Sequence, residues 1–176
     1  MALILEYRGK KPFIHESAFV APNATLIGDV EIGEFASVWF NVVLRGDTNH
    51  IHVGNYSNIQ ENVVIHPAPN PAMIGDHVSV THGSIVEGCV IGDNSMIGLR
   101  SIVMEGAQIG RNCLIGAGSV VLNSQSIPEN SVAVGAPAKV IKKMEKSHLE
   151  YVSKAWKKYR DRSRKYIQLL ESCSMR

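Results

Sequence analysis

The segment IHPAPNPAMIGDHVSVTHGSIVEGC, residues 65–89, sets His66, His82 and Glu87 among small and branched apolar side chains. Two imidazoles and a carboxylate meeting at one point can hold a transition metal with a further position left for water, as in several catalytic zinc centres. Imidazole and carboxylate also suit Fe(II), Co(II) and Mn(II). The same residues can instead be polar groups of a wet interface, hydrogen-bonded to one another. The choice turns on whether the fold brings them together. His15, His50, His52, His77 and His148 show no comparable partners in the sequence, although His50 and His52 lie in an insertion that could approach the same cleft.

The elements that must position these groups come from a repeat. Branched apolar residues recur at Ile14, Val20, Leu26, Ile32, Val38 and Leu44, six apart; the count resumes at Val53, Ile74 and Ile91 and runs to Val121. Small residues such as Ala18, Ala24, Ala36, Ser95, Ser101, Ala107 and Ser119 follow four positions later. Neither the helical period near 3.6 nor the strand period of 2 explains this count. An all-β fold, a parallel β-helix of hexapeptide repeats, does. Each hexad is one short strand and one corner, and three hexads close a triangular coil. Eighteen hexads predict about six coils, a prism roughly 30 Å long at about 4.8 Å per coil. Gly28-Asp29, Gly75-Asp76 and Gly92-Asp93 suit its turns, glycine by tolerating positive φ and aspartate by bonding nearby backbone.

The breaks in the count place the polar residues. Leu44 to Val53 and Ile65 to Ile74 each span nine residues, so two insertions leave the same corner on successive coils. Val86 to Ile91 spans five, a one-residue slip. Arg45, His66 and Glu87 follow Leu44, Ile65 and Val86, so they project outward from one face as a vertical stack. Gln60 and Thr81 are stacked on the preceding face, with Glu61 and His82 one step beyond. One prism cannot aim His66, Glu87 and His82 at a single point. Two prisms side by side can, and a closed three-fold ring makes such a cleft at each contact. The expectation is a homotrimer with intersubunit sites.

Composition narrows the partners. A net charge of +2 makes no global demand for nucleic acid or anionic lipid. No apolar run approaches the ~20 residues of a membrane helix, so neither nucleic acid nor membrane is expected. The opening MALILEYRGKK puts its charges after a short apolar run, the reverse of a secretion signal. Cys89, Cys113 and Cys173 show no paired spacing, which reads as a reducing, cytoplasmic setting. After Val134 the hexads stop. Residues 1–141 are read as the repeat domain and 142–172 as a C-terminal α-helix on the prism or on a neighbour. Its stripe is Leu149, Val152, Trp156, Tyr159, Tyr166 and Leu170, and its opposite face is basic.

The segments VWFNVVLRGD, IHVGNYSNIQENVVIH, IGDHVSVTH, IVEGCVIGDNSMIGLRSIVMEGAQIG, IGAGSVV and VAVGAPAKVIKK together resemble the gamma-class carbonic anhydrase family. The resemblance runs over about residues 10–145 and implies a left-handed coil. It also implies zinc or ferrous iron held at a trimer interface by three histidines, two from one subunit and one from its neighbour; the imidazole and carboxylate donors here suit Co(II) as well. His66 and His82 match two of these ligands. The third position, normally histidine, is Glu87. Arg45 and Asp47 match a conserved intersubunit ion pair, Gln60 a glutamine beside the reacting hydroxide, Glu61 an acidic residue that is usually aspartate, and Tyr159 a helix tyrosine near the site.

The implied activity is that of a carbonate dehydratase (a lyase): reversible hydration of CO2 to bicarbonate by hydroxide carried on the metal. A carboxylate in place of the third imidazole lowers the net charge of the site and should acidify bound water less. Glu87 could instead pair with Arg45 or a histidine without metal. Two rival readings follow: an acyltransferase of the same repeat class using acyl-CoA, to which GAGSVV and GAPAKVI are equally suited, and a trimeric scaffold that has lost its chemistry.

Overall fold

The branched residue of each hexad points into one continuous core. From Leu26 to Val121 every residue that the count of six picks out is buried, at most 2% exposed; Ile14 and Val20 pack against the near end. Burying one such side chain is worth about 1.5–3 kcal/mol, and parallel pairing between coils holds the walls together. The computed structural model describes residues 2–174.

Three walls result. The first stacks Leu3–Leu5, the start of Thr25–Ile32, the start of Val43–Val53, Val64–His66, Ile85–Glu87, Ile102–Val103 and Val120–Val121. The second stacks Phe13–Ile14, the ends of the same two long strands, Ala72–Ile74, Val90–Ile91, Gln108–Ile109 and Ser126–Ile127. The third runs from Phe19–Val20 through Ser37–Val38, Asn58–Ile59, Ser79–Val80, Met96–Ile97 and Leu114–Ile115 to Ser131–Val134, where Lys139–Lys143 closes it antiparallel. The solenoid has about 7 turns. It exceeds the count of hexads because Leu3–Leu5, Ser126–Ile127 and Ser131–Val134 pair at the two ends beyond the counted repeats.

The corners explain the small residues. Ser95 and Ser101 are buried, and their hydroxyls donate to the carbonyls of Gly110 and Gly116 on the next coil, each at 3.0 Å. At many corners the residue before the inward-turning one takes the left-handed conformation, among them Asn41 (φ 60°), Asn62 (63°), Asn94 (54°) and Asn112 (53°), a role asparagine tolerates because its short amide bonds locally. This corrects the turn role expected for the Gly-Asp pairs. Gly28 has φ +75°, but Gly75 and Gly92 lie outside the positive-φ region. They are glycines because the next coil passes too close: a Cβ on Gly92 would sit 2.5 Å from Arg111 N. The aspartates bond backbone on a neighbouring coil, Asp76 Oδ1 accepting from Asn55 N at 2.7 Å and Asp93 Oδ1 from Asp76 N at 2.9 Å.

The two insertions do leave one corner, one above the other. Thr48 Oγ1 donates to the Pro67 carbonyl, and Asn49 Nδ2 to the Pro69 carbonyl at 2.7 Å. The first insertion stays extended, so Val43–Val53 is one strand bridging two walls.

The helix Lys146–Ser174 lies on the third wall of its own chain. Val152 is buried, Trp156 covers His77 (4.4 Å between rings), and Tyr159 and Tyr166 meet Trp39 edge-on at 5.2 Å. Part of the basic face lies over aromatic rings: Lys157 over Trp156 at 5.4 Å, Arg162 over Tyr159 at 5.6 Å and Arg164 over Phe35 at 5.0 Å. No helix among the described residues is long and apolar enough to cross a membrane.

Two glycines separate the causes. Gly118 has φ +67° with open space around its Cβ position, whereas Gly92 meets backbone. In urea denaturation Gly118→Ala should cost about 1 kcal/mol for the left-handed conformation, and Gly92→Ala about 2–3 kcal/mol for forcing two coils apart. Equal costs would contradict the close-packing account.

Candidate metal centre

Parallel pairing builds the first half of the site. Glu87 and His66 are directly paired across adjacent coils, and Leu44 pairs with Ile65, so Arg45 lies beside His66 one coil down. The vertical stack expected from the sequence is present. His66 Nδ1 is 4.0 Å from Glu87 Oε2, and its Nε2 is 3.1 Å from Asp47 Oδ1. Asp47 Oδ2 accepts from Arg45 Nη1 at 2.7 Å. Burial pushes the Asp47 carboxyl up, but the hydrogen bonds from Arg45 and His66 outweigh it and hold it below its ordinary value. Arg45 and Asp47 thus pair within the chain, where the resemblance implied a pair between subunits. The Asp47–His66 contact was not foreseen: it needs the backbone course of the insertion, which spacing alone does not reveal.

The second half sits on the third wall, under the helix. Gln60 is buried, and its Nε2 donates to Asn58 Oδ1 at 2.9 Å. Glu61 Oε2 lies 2.7 Å from His82 Nδ1. That oxygen is buried and has no hydrogen bond of good geometry, so the close approach is electrostatic and off-line. The Tyr159 hydroxyl reaches His82 Nε2 at 3.2 Å. Burial pushes the Tyr159 hydroxyl pKa up, the Glu61 charge adds to this, and Arg162 opposes it. The helix thus brings Tyr159 to His82, held there by its edge-on contact with Trp39.

His66 and Glu87 meet within one chain and His82 does not join them. Among the described residues, the group of three potential ligands that does converge in one chain is Glu31, His50 and His52. This overturns the expectation that His50 and His52 lack partners. His52 pairs directly with Glu31 across coils, His50 Nδ1 is 2.9 Å from Asp29 Oδ1, and Lys10 Nζ is 3.3 Å from Asp29 Oδ2. The His50 hydrogen bond, against burial and with help from Lys10, holds Asp29 below its ordinary pKa. The nine-residue gap could have signalled this: Leu44 to Val53 carries the chain around the corner, so His50 and His52 fall on the strand that follows.

A groove of about 820 Å³ opens beside His82, between the third wall and the helix. Met96, Leu99, Leu114 and Val132 give it an apolar floor, and Lys154 and Arg162 stand at its rim.

Comparison with known proteins fits this architecture. Residues 88–123 match the family model described as bacterial transferase hexapeptide (six repeats), which places the chain in the hexapeptide-repeat class. A carbonic anhydrase of Geobacillus kaustophilus is 40% identical over 95% of this chain and 92% of its own length. Gamma carbonic anhydrase 2 of Arabidopsis thaliana mitochondria is 37% identical over 85% of this chain, which spans about half (56%) of that protein. A hexapeptide transferase family protein from Anaplasma phagocytophilum has the same fold, with a TM-score of 0.89 and 36% identity over 93% of this chain and 98% of its own. The chain belongs to the gamma-class carbonic anhydrase family.

Cys89, two residues after Glu87, faces inward, and burial reinforced by the Glu87 charge pushes its thiol up to about 12. At pH 8 its thiolate is on the order of one part in ten thousand. All three cysteines are free, Cys89 and Cys113 buried and Cys173 exposed. Iodoacetamide at pH 8 should label Cys173 and spare Cys89 and Cys113 until urea is added, as read by peptide mass spectrometry. Fast labelling of native Cys89 would contradict this placement.

Proposed function

We propose that the protein catalyses the reversible hydration of CO2 to bicarbonate at a site shared between copies of the chain. The observation that carries this reading is the stacked His66–Glu87 pair, 4.0 Å apart, with Asp47 bonded to the far nitrogen of His66. That spacing is close to the separation of neighbouring donors around one ion, and a carboxylate on the far nitrogen is how ligating histidines are oriented. The residues present fit a divalent ion: two donors are prepaired, and the buried, hydrogen-bond-free Glu61 oxygen adds negative potential next to His82.

The surfaces support the sharing. Val64 and Ile85 are exposed and stand two residues before His66 and Glu87 on the same outward side. Ile102 and Val120 continue this apolar stripe on the next coils. The groove beside His82 offers an apolar floor of matching chemistry. Stripe and groove are different patches, so the contact is heterologous, and with a three-fold rotation it closes into a ring; three copies around an axis parallel to the prism would bring His66 and Glu87 of one copy to His82 of the next. His82 would give up its contact with Tyr159 or Glu61 to become a ligand.

In this site His66, Glu87 and a neighbour's His82 would hold a zinc, ferrous or cobaltous ion. When bound, such an ion supplies Lewis-acid activation of water near neutral pH. Asp47 fixes the His66 ring, and Arg45 fixes Asp47. Gln60, its amide nitrogen committed to Asn58, points its remaining polar capacity into the groove to orient water or CO2. Glu61 takes the released proton, and its partly exposed carboxylate passes it to solvent. Glu87 makes the site less positive than a third imidazole would, so the activity should be slow at neutral pH.

A second reading, acyl transfer, is favoured by the size of the groove and its rim of Lys154, Lys158 and Arg162, which could seat an anionic acyl donor. Acetyl-CoA consumption against a panel of amine and hydroxyl acceptors tests it.

Stopped-flow CO2 hydration with anaerobically reconstituted protein should show turnover that His66→Ala and His82→Ala each abolish. Co-expression of these two variants should restore activity, because by random mixing about a quarter of the interfaces pair an intact His66 with an intact His82. Glu87→His should raise the rate at pH 7, roughly tenfold for each unit by which it acidifies the bound water. No rescue on co-expression, or a monomer by sedimentation, would overturn the shared site.

A further inference from the structure

We infer that Glu31, His50 and His52 form a second binding site for a divalent transition metal of the zinc type, on a wall of the prism separate from the His66–Glu87 stack. The site belongs to one chain and does not depend on the shared site proposed above.

The ligand atoms converge on one point outside the wall. His50 and His52 flank the buried Ile51, so both imidazoles leave the strand on the same outward side. Glu31 is paired with His52 one coil below. Glu31 Oε2 lies 3.8 Å from His50 Nε2 and 3.7 Å from His52 Nδ1, and all three ligand atoms fall within 4.8 Å of one another. Bonds of about 2.0–2.2 Å in a tetrahedral shell set donors roughly 3.3–3.6 Å apart. The two contacts to Glu31 are a few tenths of an ångström from that spacing, the two imidazoles lie within 4.8 Å of each other, and modest side-chain rotation brings all three onto one ion with a fourth position left for water.

A second, independent observation is the state of the far side of His50. Its Nδ1 is 2.9 Å from Asp29 Oδ1, and Asp29 is itself tied to Lys10. Asp29 thus fixes the ring from one side and turns Nε2 towards Glu31. A carboxylate on the non-ligating nitrogen is the usual companion of a metal-bound histidine. The imidazoles are about 30% exposed, which leaves an open position for water and a path for the ion. Two imidazole nitrogens and one carboxylate oxygen select zinc, cobalt, nickel or copper over magnesium and calcium, which take oxygen ligands.

The test is equilibrium dialysis of the full chain against Zn2+ with metal analysis, the fold of each variant checked by circular dichroism. The parent should bind about two ions per chain, one at each site. His52→Ala and Glu31→Gln should each lose one of them, and the milder His50→Gln should do the same if a larger change disturbs the strand. Asp29→Asn should keep both but weaken one by roughly 10–100-fold. A His66→Ala/His82→Ala double variant should retain the ion held by Glu31, His50 and His52. If His52→Ala and His50→Gln bind as much zinc as the parent, with the same affinity, the inference falls. If instead they lose an ion while the double variant loses none, the second site stands and the shared site falls.

Discussion

Packing of one branched side chain onto the same side chain of the coil above and below fixes the rest of this molecule. Ile65 is paired with Leu44 on one side and Val86 on the other, and all three are fully buried. A slip of one residue would turn each of them to solvent, because the side-chain period along a strand is 2. Register is therefore set by every coil at once. Whatever follows a core residue on one coil stands over whatever follows its partner on the next, which is why Glu87 stands over His66. Chemistry on such a wall needs no loop to carry it; it needs the right residue at the right count.

The long strand Val43–Val53 takes this constraint around a corner. Its first half pairs with Val64–His66 and its second half with Ala72–Ile74, so one segment without a break serves two walls. Arg45 and Asp47 leave it towards His66, whereas His50 and His52 leave it towards Asp29 and Glu31. In both places a carboxylate fixes one nitrogen of an imidazole and leaves the other facing a second carboxylate. The repetition follows from the geometry: an insertion of three residues makes room at the corner for polar side chains that a tight turn would exclude, and hydrogen bonds to Pro67 and Pro69 hold it in place.

Much of the fold was legible because a hexad count is a statement about packing. The positions from Leu26 to Val121, the shared corner of the two insertions, and the stacks of Arg45, His66 and Glu87 and of Gln60 and Thr81 could be read directly from spacing. Two kinds of feature could not. The reason for a particular glycine was hidden, since Gly92 is excluded from bearing a Cβ by Arg111, a residue of another coil. The course of the backbone through an insertion was hidden too, since no period applies there. That is why Asp47 was matched to Arg45 alone, and why His50 and His52 looked unpartnered. Counting says which residues share a wall; it does not say how a bulge turns its side chains.

In the proposed ring the carboxylates would tie assembly to cation binding. In the single chain Glu87 is 38% exposed and keeps part of its hydration, and Glu61 already carries one buried, unsatisfied oxygen. Joining stripe to groove would take both towards the interior of an interface. Removing an unpaired carboxylate from water costs several kcal/mol unless a positive charge or a proton arrives with it. Arg45 cannot serve, because Asp47 holds it at 2.7 Å. The positive charge must then come from an imidazolium or from a bound ion, and both act at His66 and His82. A third imidazole in place of Glu87 would not have carried this debt of charge. In the proposed ring, the glutamate that lowers the acidity of the site would thus make closure more dependent on what the site holds, and loading and assembly would be one linked equilibrium.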